Sequence, residues 1–172
     1  MAKASGNDGD ARRVLHLVDA SPYIFRAFYS LPSSITDPAG RPINAVRGFI
    51  DMLARLVREE RPTHMLVAFD GSLTTSFRNE IYPPYKSSRD EPDEDLVAQL
   101  DACYEGAASA GAFVTIDDRY EADDIIATAK ESMKDEVDEV VVVTADKDLA
   151  QLVDERTVFH DFAKGTRLDR VG

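Results

Sequence analysis

Residues 139–148 read Glu139-Val140-Val141-Val142-Val143-Thr144-Ala145-Asp146-Lys147-Asp148, and this stretch decides the fold. Four consecutive valines show no alternation of apolar and polar residues, so the strand they form must be covered on both faces. That is the signature of a central strand in a parallel sheet with helices on either side. The apolar run then gives way to two acids, Asp146 and Asp148, at the carboxyl end of the strand.

Working outward, Val14 to Asp19 and Met65 to Asp70 are two further short apolar runs, each ending on an acid. Phe113 to Ile116 and Thr157 to Phe159 complete the expected strands. Between them lie helical patterns. Ser21-Pro22 suits a helix start, with Ser21 as the cap and Pro22 in the first turn. Ile24, Phe25, Phe28 and Leu31 form its apolar stripe. Residues 32–42 hold three prolines and a glycine and read as a loop. A second helix is expected from Ile43 to Glu59, with Val46, Phe49, Ile50, Leu53 and Val57 on one side, ended by Arg61-Pro62. The stretch from Gly71 to Pro92 reads as irregular. Asp93 to Ala110 forms the next helix, and Ala122, Ile125, Ile126, Ala129 and Met133 mark another beginning near Glu121. A short helix follows from Asp146 to Leu152. Strands and helices alternating at these lengths predict an α/β sandwich around a central, mostly parallel β-sheet.

The chain has 172 residues, 44% of them apolar, which suits one domain with a real core. Residues 1–13 are polar and glycine-containing and read as a flexible tail, leaving 14–172 as the domain. No apolar run approaches the roughly 18 to 20 residues needed to span a bilayer, and the start lacks a secretion signal's apolar segment. Cys103 is the single cysteine, which excludes an intrachain disulfide and disfavours a thiolate zinc site. A cytoplasmic protein without a membrane partner is expected. The net charge of −12 predicts weak non-specific attraction for nucleic acid unless the cations are grouped. No closing helix follows the last strand, so the architecture reads as cut short.

Sites in such sheets form outside the carboxyl ends of the strands. Asp19, Asp70, Glu121, Asp123, Asp124, Asp146 and Asp148 all fall there, on four separate connections. One acid after a strand is ordinarily a turn or helix cap. Seven on one edge repel one another, and helix amides offset only about 0.3 to 1 kcal/mol per acid. Divalent cations answer the repulsion directly. An oxygen-only donor set, with His16, His64 and His160 scattered elsewhere, favours Mg²⁺, or Mn²⁺, over zinc. Directly after Asp70 comes a segment in which Arg78, Lys86 and Arg89 flank Phe77, Tyr82 and Tyr85. Cations fix phosphates and exposed rings stack on bases, although the same residues could equally pack on the core and neutralise neighbouring acids.

The blocks LVDASPYIFRAFY (17–29), VAFDG (67–71), FRNEIYPPYKSSR (77–89), YEADDIIAT (120–128) and VVVTADKDLAQLV (141–153) closely resemble the 5'-3' exonuclease and flap endonuclease family. The likeness is strongest to the bacterial form that serves as the amino-terminal domain of DNA polymerase I. It implies a three-layer PIN-like fold. It also implies metal-dependent cutting of DNA at 5' ends and 5' flaps, leaving 5'-phosphates, with RNA primer strands as further substrates in some members. Asp19, Asp70, Glu121 and Asp123 would surround a first ion, with Asp124 in support, and Asp146 and Asp148 would serve a second. Arg78 and Lys86 match the family's scissile-phosphate contacts, Tyr85 its aromatic residue beside the reacting nucleotide, and Arg89 a backbone contact. Family members continue into a glycine-rich helix-hairpin-helix segment that grips duplex DNA. Nothing after Thr157 resembles it, so a missing segment or a partner is expected to supply that grip. A PIN-type ribonuclease and a non-catalytic nucleic-acid-binding module stand as the alternatives.

Overall fold

The computed structural model describes residues 12–72, 76–86 and 92–171. Arg89 lies outside the described residues. The chain forms β1 (Val14–Asp19), α1 (Ser21–Ser30), α2 (Asn44–Glu60), β2 (His64–Asp70), α3 (Phe77–Ile81), α4 (Glu94–Ser109), β3 (Phe113–Asp117) and α5 (Ala122–Met133). It continues through β4 (Glu139–Val143), a 3₁₀ helix (Lys147–Leu152), β5 (Thr157–Asp161) and β6 (Thr166–Leu168). The strands lie in the order β3-β2-β1-β4-β5-β6. The first five are parallel, and β6 returns antiparallel on β5.

The valine strand explains its own pattern. Val141 and Val143 join the core beneath α1, α2 and α4, whereas Val140 and Val142 join the core beneath α5 and the 3₁₀ helix. Val18 opposes Leu15 and Leu17 in the same way, and Val67 and Phe69 oppose Ala68. Two apolar layers therefore sandwich the sheet, giving the expected three-layer α/β fold. From β1 the chain moves outward to β2 and β3, then crosses back to place β4 on the other side of β1. The strand order thus reverses between β1 and β4, where such sheets open a crevice at their carboxyl ends.

Three details differ from the sequence reading. The N-cap position of α1 is Ala20 rather than Ser21, and no side chain caps it. Ser21 enters the first turn and turns its hydroxyl to Asp70 instead. The supposedly irregular stretch after β2 contains α3. Ser76 and Asn79 cap it, the Ser76 backbone N–H donating to Asn79 Oδ1 at 2.9 Å. Finally β6, three residues of mixed polarity, carried no apolar pattern to betray it.

Gly71 closes the carboxyl end of β2 against β3. Its N–H donates to Asp117 O at 3.1 Å, and an added Cβ would meet that oxygen at 2.3 Å. Only glycine allows this approach, which seats Asp70 at the sheet edge. Cys103 is buried in the core, and burial pushes its thiol up to about 12, leaving it unreactive.

Two buried histidines gather around a half-buried glutamate away from that edge. His16 on β1 is 1% exposed and lies 3.9 Å from Glu60, at the end of α2. His160 on β5 is also 3.9 Å from Glu60, and Arg167 on β6 pairs with it at 3.0 Å. Burial holds the His16 imidazole down to about 4, with Glu60 opposing and Arg167 and His160 reinforcing the fall. A histidine whose folded pKa is depressed contributes stability that is intact above its unfolded value near 6.5. That contribution is lost as pH falls through 4. Relative to the unmodified chain, His16→Leu should therefore gain about 3 kcal/mol between pH 7 and pH 4. Denaturant titrations of both proteins measure the difference directly. A gap that stays constant with pH would show that His16 is not held neutral.

Candidate metal and phosphate site

The carboxyl-terminal edge of the sheet carries acids on four connections. Asp19 ends β1 and is buried; its Oδ2 accepts from Thr144 Oγ1 at 2.9 Å. Asp70 ends β2. Its Oδ2 accepts from Ser21 Oγ at 2.7 Å and its Oδ1 from the Ala122 N–H at 2.8 Å. The second of these bonds binds the β2 terminus to the first turn of α5, whose positive end favours a carboxylate. Glu121 stands at the N-cap of α5, with Asp123 and Asp124 in its first turn. Asp146 caps the 3₁₀ helix, its Oδ1 accepting from the Asp148 N–H at 2.9 Å. Both Asp146 and Asp148 are exposed.

Electrostatics show which acids crowd one another. Burial pushes Asp19 up to about 7, the repulsion of Asp123 and Asp70 adding to it. Asp123 rises to about 6, through burial and then through Asp146, Asp70, Glu121 and Asp124. Asp123 is thus the common neighbour of acids from both sides of the switch point.

Two cations meet this edge from the α3 segment. Arg78 makes a bidentate pair with Asp124, Nη1 to Oδ2 at 2.7 Å and Nη2 to Oδ1 at 2.9 Å. Its Nη1 also lies 3.5 Å from Glu121. Lys86 Nζ lies 2.9 Å from Glu121 Oε1, a charge contact without the direction of a good hydrogen bond. Tyr85 donates its hydroxyl to Glu121 Oε2 at 3.3 Å. Burial opposes ionisation of Glu121, but Lys86, Ser76 and Arg78 hold its carboxyl below the ordinary value. Lys86 adopts φ 57, the left-handed region that a lysine seldom enters. Strain of this kind persists where surrounding contacts impose it.

The docking of α3 explains these pairings. The Phe77 N–H donates to Arg119 O at 2.8 Å, and the Phe77 and Tyr120 rings sit 5.4 Å apart. Arg119 also reaches Glu80 at 3.1 Å. The helix is thereby pinned to the β3–α5 connection, directly before Glu121. On the other flank of Asp70, a cleft of about 380 Å³ opens between α1 and α4, with Ser21, Phe25, Tyr104 and Ile116 in its lining.

Among the described residues, no three acids, histidines or cysteines close on one point as a ready ligand set. Asp19, Asp70 and Glu121 are instead turned to protein donors. The donor chemistry nevertheless fits a hard divalent cation: oxygen ligands only, negative charge in excess, and buried carboxylates held back from ionising. Two hydroxyls hold Asp70 and Asp19: Ser21, which the sequence suited to a helix cap, and Thr144, which no sequence pattern singled out. Their positions beside strand-end acids were the available signal.

A doubly covered, mostly parallel sheet with acids along one edge makes this a three-layer α/β domain. The chain belongs to the 5'-3' exonuclease family, matching its N-terminal resolvase-like domain over residues 14–171. It is 41% identical over 152 residues to DNA polymerase I of Mycobacterium tuberculosis, covering 87% of this chain and 17% of that protein. It is 37% identical over 159 residues to a 5'-3' exonuclease of the same organism, covering 83% of this chain and 48% of that one. The chain therefore spans about half the length of such an exonuclease and about a sixth of the polymerase. A solved T5 5'-exonuclease with bound zinc shares the fold at TM-score 0.72 and 18% identity, over 91% of this chain and 58% of that chain.

Proposed function

We propose that this chain carries the hydrolytic centre of a metal-dependent 5'-3' exonuclease and 5'-flap endonuclease acting on DNA. The observation that carries the reading is the meeting of two opposed charge sets at the switch point. Asp19 and Asp123 are crowded acids, and Arg78 and Lys86 are cations brought to the same edge. Family membership supports the assignment, as does the likeness to DNA polymerase I. The proposed substrates are DNA with a 5' end or 5' flap, with RNA primer strands as a further class.

Asp19, Asp70, Glu121 and Asp123 would hold a first Mg²⁺ or Mn²⁺, with Asp124 in support, and Asp146 and Asp148 a second. Bound there, divalent ions supply an acidified water and offset charge on phosphate and leaving oxygen. The remaining work falls to the chain. Arg78 and Lys86 leave Asp124 and Glu121 for the non-bridging phosphate oxygens, where fixed cations balance developing charge. Tyr85 positions the adjacent nucleotide, and Arg89 adds a backbone contact. A water oxygen bonds to phosphorus as the bond to the 3'-oxygen breaks; the 3'-oxygen takes up a proton and leaves as the upstream 3'-hydroxyl, and the downstream product keeps a 5'-phosphate. No covalent nucleophile is required.

Single-turnover cleavage of a 5'-flap DNA, against a matched single-stranded RNA, tests this reading. Metal-dependent cutting of the flap is expected. Preference for the RNA would favour a PIN-type ribonuclease, and metal-dependent binding without product would favour a non-catalytic module. Residues 1–172 alone should cut poorly at low protein concentration. The net charge of −12 offers no long-range attraction, and in the longer family members a further segment grips the duplex. A deficit in binding is recovered at high protein. Fast, salt-sensitive cleavage at nanomolar protein would show that no further grip is needed.

A further inference from the structure

One hydroxyl joins the two sides of the acidic edge. Thr144 directly follows β4 and is fully buried. Its Oγ1 donates to Asp19 Oδ2 at 2.9 Å and accepts from the Asp146 backbone N–H at 2.9 Å. The polarity of both bonds is set by chemistry: an amide N–H only donates, so the single hydroxyl proton is left for the carboxylate. The Thr144 backbone is itself anchored, its N–H donating to His160 O on β5 at 3.2 Å. The hydroxyl therefore sits on a rigid support between β1 and the turn carrying Asp146. A hydroxyl that donates to a carboxylate favours the ionised form a metal ion requires.

We propose that Thr144 is a positioning residue of the metal centre. Its hydroxyl holds the Asp19 carboxylate in register with the Asp146 turn, so that acids on opposite sides of the switch point present to divalent ions as one site. The inference rests on the metal-dependent reading above. Partners that orient inner ligands commonly change metal affinity about 10- to 100-fold when removed. A packing role for the buried side chain predicts something different, and two substitutions separate them. Thr144→Val keeps the shape and loses the hydroxyl; Thr144→Ser keeps the hydroxyl and loses the methyl group.

Mn²⁺ binding to the whole chain, measured by calorimetry without DNA, is the readout. Thr144→Val should weaken Mn²⁺ about 10- to 100-fold, and Thr144→Ser should bind close to the unmodified chain. Unchanged affinity in the valine variant, or an equal loss in the serine variant, would overturn the proposal. Should the valine variant fail to fold, Thr144→Ala and Thr144→Ser differ in that hydroxyl alone, and equal Mn²⁺ affinities would overturn it. Absence of Mn²⁺ binding by the unmodified chain would instead defeat the metal-dependent reading, and this inference with it.

Discussion

Replacing Asp19 by asparagine is expected to stabilise the metal-free domain at pH 8 by up to about 4 kcal/mol while removing metal-dependent cleavage. The two effects have opposite signs because the carboxylate is costly to the fold and, in the proposed site, would hold a metal ion. Asp19 is 4% exposed, and its pKa is driven up to about 7 by burial and by Asp123 and Asp70, against the Thr144 hydrogen bond. For an acid whose folded pKa is raised, the stability it contributes is present below the unfolded value near 3.8. That contribution is lost as pH rises through 7. The gain in Asp19→Asn should therefore be small near pH 4 and largest at pH 8. Saturating Mg²⁺ should close the gap by stabilising the unmodified chain. Outer partners of metal sites cost about 10- to 100-fold when lost, so an inner ligand should cost at least about 100-fold in single-turnover rate. Denaturant titrations with chelator at both pH values give the stability half. If asparagine confers no gain at pH 8, the acid is not crowded; if cleavage survives, Asp19 leaves the ligand set.

Lys86→Met should lower the cleavage rate about 100- to 1000-fold at saturating DNA, yet tighten Mn²⁺ binding in its absence. Lys86 Nζ rests 2.9 Å from Glu121 and would therefore compete with a metal ion proposed to bind that carboxylate. In the proposed mechanism, removing the lysine would free the acid for metal but leave phosphate charge unbalanced when the bond breaks. Arg78→Met should behave in the same direction, since its bidentate pair occupies Asp124. A structural ion pair predicts another pattern: stability falls, while Mn²⁺ affinity and the rate at saturation stay near those of the unmodified chain. Comparing calorimetric affinity with single-turnover rate distinguishes the two outcomes.

The three-layer fold was legible in the sequence because its signals are local. A strand covered on both faces needs no alternation, as Val140 to Val143 show, and the helices carry their apolar stripes within a few turns. The placement of the acids was legible for the same reason: Asp19 and Asp70 end apolar runs, and the others stand in the connections that follow strands sharing one direction. What these acids and cations touch was decided by tertiary structure alone. Ser21, suited by its position to cap α1, gives its hydroxyl to Asp70, 49 residues away. Arg78, suited to a phosphate, is held by Asp124 across 46 residues through the docking of α3. Thr144 reaches Asp19 across 125 residues because β4 pairs with β1. Apolar periodicity is set by burial on one element and can be read along the chain. Hydrogen-bond and charge partners depend on how crossovers bring distant elements together, and a short polar side chain has no periodicity from which that could be read.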